Sequence, residues 1–447
     1  MGKYFFIVCA LILVFGIWQS KGIDRLLWFF TGILFFQHRI VLFTSPTVMS
    51  FHRLLIFALL IPELINLNKL RSELKEFPLR RPLLLTFLGL MIIGLFDNRL
   101  TPVLKFYRPL DLFIQTFFVT FLCYINFKKN EDWKKVVKFF LVSSIILCVY
   151  GLYNYITKSN PIDTYISNSF NAYSSFDFYS EVFDERFRIN SFTDHPIYYG
   201  YLLGLIFILL FSELLDQKNK INYLIALAFV FGNLILTNSR TPFLSFFLGV
   251  IVYAATAFST RTKIKFIFLG LLIGVCIYSV PLIKDKINNT IDIFQTGGSE
   301  LGGSSLTMRK KQMEASMQIF RRKPILGNGI YFIEENLGYS SDEDKSNSAD
   351  DLQGFESYIY IILIEQGFLG CVVNVFFFGG LIIFFLKRRQ VSRKMAALGI
   401  TVTTMFLLFS IGTGTLGSWI ITMGLLGIII KNIEIDKSLP FDLSIKG

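Results

Sequence analysis

Apolar stretches long enough to cross a lipid bilayer recur along this chain, and few architectures can accommodate so many of them. They lie at about 4 to 18, 51 to 66, 82 to 96, 109 to 127, 136 to 156, 195 to 215, 221 to 237, 241 to 259, 264 to 283, 356 to 386, 395 to 411 and 418 to 431. One more run, 26 to 43, is interrupted by Gln37, His38 and Arg39. About 20 residues of helix span the hydrocarbon layer. A segment inside lipid must satisfy its backbone hydrogen bonds internally, so it is a helix or part of a closed barrel, and these runs lack the polar alternation of a barrel strand. Only 17% of the residues are charged, whereas water-soluble domains carry roughly a quarter. The expected fold is all-α: a polytopic membrane bundle of about 12 transmembrane helices with a large outward-facing loop containing short helices. A single-span anchor and a disordered chain are both excluded.

The formal net charge of +12 is distributed in short clusters between the apolar runs. That pattern sets membrane orientation and does not suit nucleic acid. Lys69, Arg71, Lys75, Arg80 and Arg81 mark one loop as cytoplasmic. Lys128 to Lys135, Lys218 with Lys220, Arg261 to Lys265, and Lys387 to Lys394 mark four more. The chain then divides into helices over 1–156, an outward loop at 157–194, helices over 195–283, a large outward loop at 284–355, helices over 356–431, and a cytoplasmic tail at 432–447. A fully spanning 26 to 43 segment puts the amino terminus outside. If that segment is re-entrant, both termini lie in the cytoplasm with twelve spans, and this second arrangement is the preferred one. No small-residue cleavage pattern follows the first run, so it is expected to be retained as a helix.

Within the large loop, Thr307 is a candidate N-cap for MRKKQMEASMQIF. Met308, Met313, Met317 and Phe320 give this helix an apolar face suited to the membrane surface. The SSDEDKSNSADD stretch is polar and of low complexity, and is expected to be a mobile flap. Tyr331, Phe332 and Tyr339 can stack on sugar rings or anchor the loop at the headgroups.

Few residues offer chemistry. The cysteines at 9, 123, 148, 276 and 371 all fall in apolar runs without paired spacing, as packing residues do. His38, His52 and His195 have no partners at metal-ligand spacing, so no metal and no cofactor is expected. His195 opens a span next to Pro196, as a helix cap or a rim hydrogen-bonding group. Arg240 stands in a very short outward turn before a helix whose first turn contains Pro242, where backbone N–H groups favour anions. Arg188 in one outward loop and Arg309 in the other are cations that could join it. Three guanidinium groups would make bidentate, permanently charged donors for phosphate oxygens. Glu356 opens the helix after the large loop and could act as a general base. Glu365, nine residues on, is expected about 13 Å deeper and outside the same site.

The succession RINSFTDHPIYYGYL, NSRTPFLSF, MRKKQMEASMQIFRRKPILGNG and ESYIYIILIEQGFLG resembles the bacterial O-antigen ligase and O-antigen polymerase superfamily. The resemblance covers roughly 185 to 371. It implies enzymes of the inner (cytoplasmic) membrane that act at its outer face on glycans carried by undecaprenyl pyrophosphate, without metal or nucleotide sugar. It further implies that Arg188, Arg240 and Arg309 stand at the family's functional arginine positions. Ligases carry a His-Asn pair where this chain has Glu356 and Ser357, a departure that favours polymerase over ligase. The expectation is an inverting polymerase of lipid-linked repeat units, with Glu356, Arg240 and Arg309 catalytic and Arg188, His195 and Tyr358 contacting substrate. Its partners are the undecaprenyl-pyrophosphate-linked oligosaccharide, membrane lipid and a chain-length regulator, with no nucleic acid. Ligase is the alternative, followed by a lipid-linked oligosaccharide flippase.

Overall fold

A computed structural model describes residues 2–43, 48–170, 187–214, 216, 220–263, 304–336, 357–415 and 417–438. From the amino end come α1 (Gly2–Gln19), α2 (Ile23–Phe35), a short antiparallel pair β1 (Val41–Phe43) and β2 (Met49–Ser50), α3 (Phe51–Leu64), α4 (Leu67–Glu76) and α5 (Arg80–Leu95). Then α6 (Pro102–Phe113) continues through a π turn at Ile114–Phe118 into α7 (Val119–Asn126), followed by α8 (Glu131–Thr157) and α9 (Pro161–Phe170). The remainder comprises α10 (Pro196–Leu214), α11 (Ile221–Leu236), α12 (Arg240–Ala257), α13 (Ser304–Arg322), α14 (Phe332–Asn336), α15 (Tyr358–Arg388), α16 (Arg393–Thr413) and α17 (Ser418–Ser438). The all-α membrane architecture is therefore observed. Among the described residues eight helices are long and apolar enough to cross a bilayer, or nine if α4 and α5, bent by 113°, form one span. The expected run at 264–283 and the SSDEDKSNSADD stretch lie outside the described residues.

Helices that are apolar all round bury themselves in the middle. Here α10, α16 and α17 form the core, while α1 and α12 leave most of their surface to the surroundings. Small residues allow close approach. Gly249 of α12 fits against Met405 of α16, and Gly204 of α10 against Phe246 of α12.

Ion pairs distinguish the two ends of the bundle. At the basic end Arg25 donates to Glu63 at 2.7 Å and to Asn126 at 3.3 Å, Lys128 pairs with Glu73 at 3.0 Å, and Lys394 with Glu213 at 2.7 Å. At the other end Gln37 donates to Asp163 at 2.9 Å and to the Thr193 carbonyl at 3.2 Å. The chain thus enters α2 at one end and emerges at residue 37 at the opposite one. Gly2 packs against Ser169 of α9 at that same outer end, whereas Asp436 accepts from Asn130 at the basic end. The 23–37 stretch connects the two ends, although the 13-residue α2 is not among the helices long enough to cross a bilayer, and the amino terminus of α1 lies opposite the carboxyl terminus of α17. The polar triplet that broke the apolar run finds protein partners in Asp163 and Asp194.

The face that α13 turns toward the protein is polar. It buries Gln312 and Ser316, both fully, while Met313 and Met317 are 46% and 39% exposed. Short polar side chains let α13 lie close to α15, and the methionines turn away from the protein.

Candidate functional site

The end opposite the basic one holds Arg188, Arg240 and His195. Pro196 starts α10, where a missing N–H costs nothing. His195, just before it, accepts from the Ile197 N–H through Nδ1 at 3.1 Å, so it caps the helix. Burial pushes the His195 pKa down to about 4, with the Asp194 charge opposing and Arg188 and His38 assisting. The ring is therefore neutral at neutral pH, as its acceptor role requires.

Arg188 reaches the turn between α11 and α12, where its Nη2 donates to the Asn238 carbonyl at 3.0 Å. Arg240 begins α12 two residues later. The turn is fixed by tight packing on α10. A Cβ at Gly200 would stand 3.0 Å from Pro242 and 3.1 Å from Thr237 Oγ1, so only hydrogen leaves room for both. Asn238 adopts φ +50°, a left-handed conformation that Asn tolerates better than most residues. Arg188 thus contacts the turn that carries Arg240.

The third is not settled by contact. The Arg309 position lies in α13, but its side chain is outside the described residues, and α13 packs on α15. Glu356 lies outside the described residues altogether. Tyr358 donates to Asn374 at 2.9 Å and packs edge-on against Trp419 at 5.4 Å.

That Tyr358 contact exposes an unexpected geometry. Sixteen residues separate Tyr358 from Asn374, which in a straight helix would set them about 24 Å apart. The helix is broken at Gly367, with φ 62° and ψ −156°. Its first arm folds back along the second, bringing Ile362 against Gly370. The arm from Phe368 to Arg388 is about 31 Å long and can cross the bilayer unaided.

Backbone groups freed by the break are satisfied by the segment after α13. Asn328 and Gly329 donate to the Ile364 and Glu365 carbonyls at 2.8 and 2.9 Å, while the Phe368 and Leu369 amides donate to Pro324 and Ile325 at 2.8 and 3.0 Å. Irregular backbone at membrane depth survives only when protein supplies such partners. Glu365 is correspondingly a structural acceptor, taking the Ile333 N–H at 3.1 Å. Tyr331, just beyond, sits at φ +65° and donates to Asp111 at 3.1 Å. Its companion Glu335 in α14 binds Arg99 at 3.3 Å and also Arg108, so the outer segment is tied to the α5–α6 connection.

Sequence reading missed several polar residues at this end. Arg39 pairs with buried Asp163, and His38 Nδ1 lies 3.0 Å from Asp194 Oδ2. Burial opposes both charges of the second pair, but mutual attraction prevails: Asp194 falls to about 2 and His38 is raised. A polar triplet inside an apolar run was the available signal, since such residues in a membrane chain face protein or a cavity. Among the described residues no three His, Cys, Asp or Glu side chains gather as metal ligands would.

Residues 225–375 match the family model described as O-Antigen ligase. This supports the resemblance to the O-antigen ligase and polymerase superfamily over that part of the chain. The matched stretch includes Arg240, α13 and the broken start of α15. It supports a membrane enzyme of the O-antigen ligase or polymerase type acting on lipid-linked polysaccharide. No curated protein matches the chain.

Proposed function

We propose that this protein polymerises lipid-linked repeat units of a bacterial surface polysaccharide at the outer face of the cytoplasmic membrane. The growing glycan on undecaprenyl pyrophosphate is the donor, and a new lipid-linked repeat supplies the attacking hydroxyl. Arg188, Arg240 and Arg309 neutralise the charge that develops on the departing pyrophosphate, an interaction stronger at a water-poor rim than in bulk water. Glu356 takes the proton of the attacking hydroxyl, and in-line attack at the anomeric carbon inverts it. His195 and Tyr358 position sugar. No metal or cofactor takes part in this scheme, and a chain-length regulator is a further partner.

The observation that supports this reading most directly is the meeting of Arg188 with the Arg240 turn through the Asn238 carbonyl. The test replaces Arg240 with Ala and Glu356 with Gln in cells and follows polymer length. Single repeat units on the final acceptor are expected; unchanged long chains at normal protein levels refute the assignment. The family description favours one second reading, transfer of finished polymer to an acceptor. Loss of that activity strands long polymer on the lipid carrier, so the same experiment separates the two. Extension of purified lipid-linked repeats in detergent without an ion gradient distinguishes either from a flippase.

A further inference from the structure

His38 is contributed by the amino-terminal third of the chain, outside the stretch matched by the family model, yet it stands at the end of the bundle that holds Arg188 and Arg240, the mouth of the proposed site. The turn between α16 and α17 connects it to Arg240. A Cβ on Gly412 would lie 2.6 Å from Thr241 Cγ2, and one on Gly417 would lie 3.1 Å from His38 Nδ1. His195 lies within electrostatic reach of both Arg188 and His38.

Asp194 approaches the His38 ring from within. The carboxylate side chain is 12% exposed and the imidazole 39%. With Nδ1 turned toward Asp194 Oδ2 as an ion pair at 3.0 Å, the other ring nitrogen, Nε2, is on the edge away from that partner. Nearby, the buried Tyr198 hydroxyl on the first turn of α10 has no hydrogen-bond partner among the described residues. It lies within the electrostatic reach of Asp194.

We propose that His38, oriented by Asp194, is a further substrate-binding residue and donates through Nε2 to a phosphate oxygen of the lipid-linked diphosphate. This rests on the reading of the mouth as a diphosphate grip. Burial disfavours its charge, attraction to Asp194 outweighs that and favours the imidazolium, and Arg39, itself held by Asp163, opposes it. Among the described residues, His52, with its ring 6.4 Å away, His195 and Tyr198 are further titratable groups near it.

The experiment measures inorganic pyrophosphate binding calorimetrically to the full chain in detergent, from pH 5.5 to 8.5. His38→Gln is compared with the unaltered protein at each pH, so titration of pyrophosphate itself cancels. A lost charge-assisted hydrogen bond predicts roughly tenfold weaker binding for H38Q at the acid end. The difference narrows as pH rises, and Asp194→Asn moves that narrowing to lower pH. Equal affinity of H38Q and the unaltered protein at every pH overturns the proposal; if Arg240→Ala still abolishes binding, the arginine grip survives. If neither substitution weakens binding, both readings fall. Should H38Q not fold, 13C-labelled histidine in the intact chain decides the matter, because there are only three imidazoles to follow. His38 must shift on adding pyrophosphate, and a stationary signal overturns the proposal.

Discussion

Replacing Gly367 with Ala tests whether the break in α15 is built into the fold. At φ 62° and ψ −156° the backbone occupies a region open essentially to glycine alone, and forcing another residue there costs about 1–3 kcal/mol. The new methyl would also stand 2.5 Å from the Gly327 nitrogen and 2.7 Å from the Ile325 carbonyl oxygen, both backbone atoms unable to swing aside. Relief requires Pro324–Gly329 to withdraw, breaking its four backbone bonds to residues 364–369 at about 1 kcal/mol each. The combined penalty is about 5–7 kcal/mol, or roughly four to five orders of magnitude in local opening. Hydrogen exchange in detergent micelles reads this directly at the Asn328, Gly329, Phe368 and Leu369 amides. Gly379→Ala is the control, since nothing lies within 4 Å of its added Cβ; helix propensity makes that change neutral or favourable by up to about 1 kcal/mol. Unchanged protection at those four amides in Gly367→Ala would show that α15 does not depend on the break.

Two further outcomes follow from the outer rim. Asp163 is fully buried and accepts from both Gln37 and Arg39, so Asp163→Ala leaves a cation without its partner at a cost of about 3–5 kcal/mol; the thermal midpoint in detergent should drop steeply, and an unaltered midpoint contradicts the role. His195 has its pKa lowered from 6.5 to about 4, so the stability it contributes is complete above pH 6.5 and is lost as pH falls toward 4, a change on the order of 3 kcal/mol. His195→Asn, which can still cap α10, should lose less stability than the unaltered protein across that window. A parallel decline in both proteins would refute the cause.

The sequence by itself determined the solvent. Twenty-residue apolar runs without polar alternation permit only helices in lipid, and the clusters from Lys69 to Lys394 fixed which loops share one end of the bundle. It also made Arg188, Arg240 and His195 legible as rim residues, because a charge or imidazole beside a span has few other places to go. Tertiary structure decided what those residues meet. Apolar periodicity is blind to partners from distant segments, so Gln37, His38 and Arg39 read as a flaw in a helix until Asp163 and Asp194 accounted for them. The same blindness concealed the broken start of α15, since Gly367 looks like any small residue in a membrane helix. Only the presence of Pro324–Gly329, folded in from the preceding loop to pair with the opened backbone, makes a break there affordable.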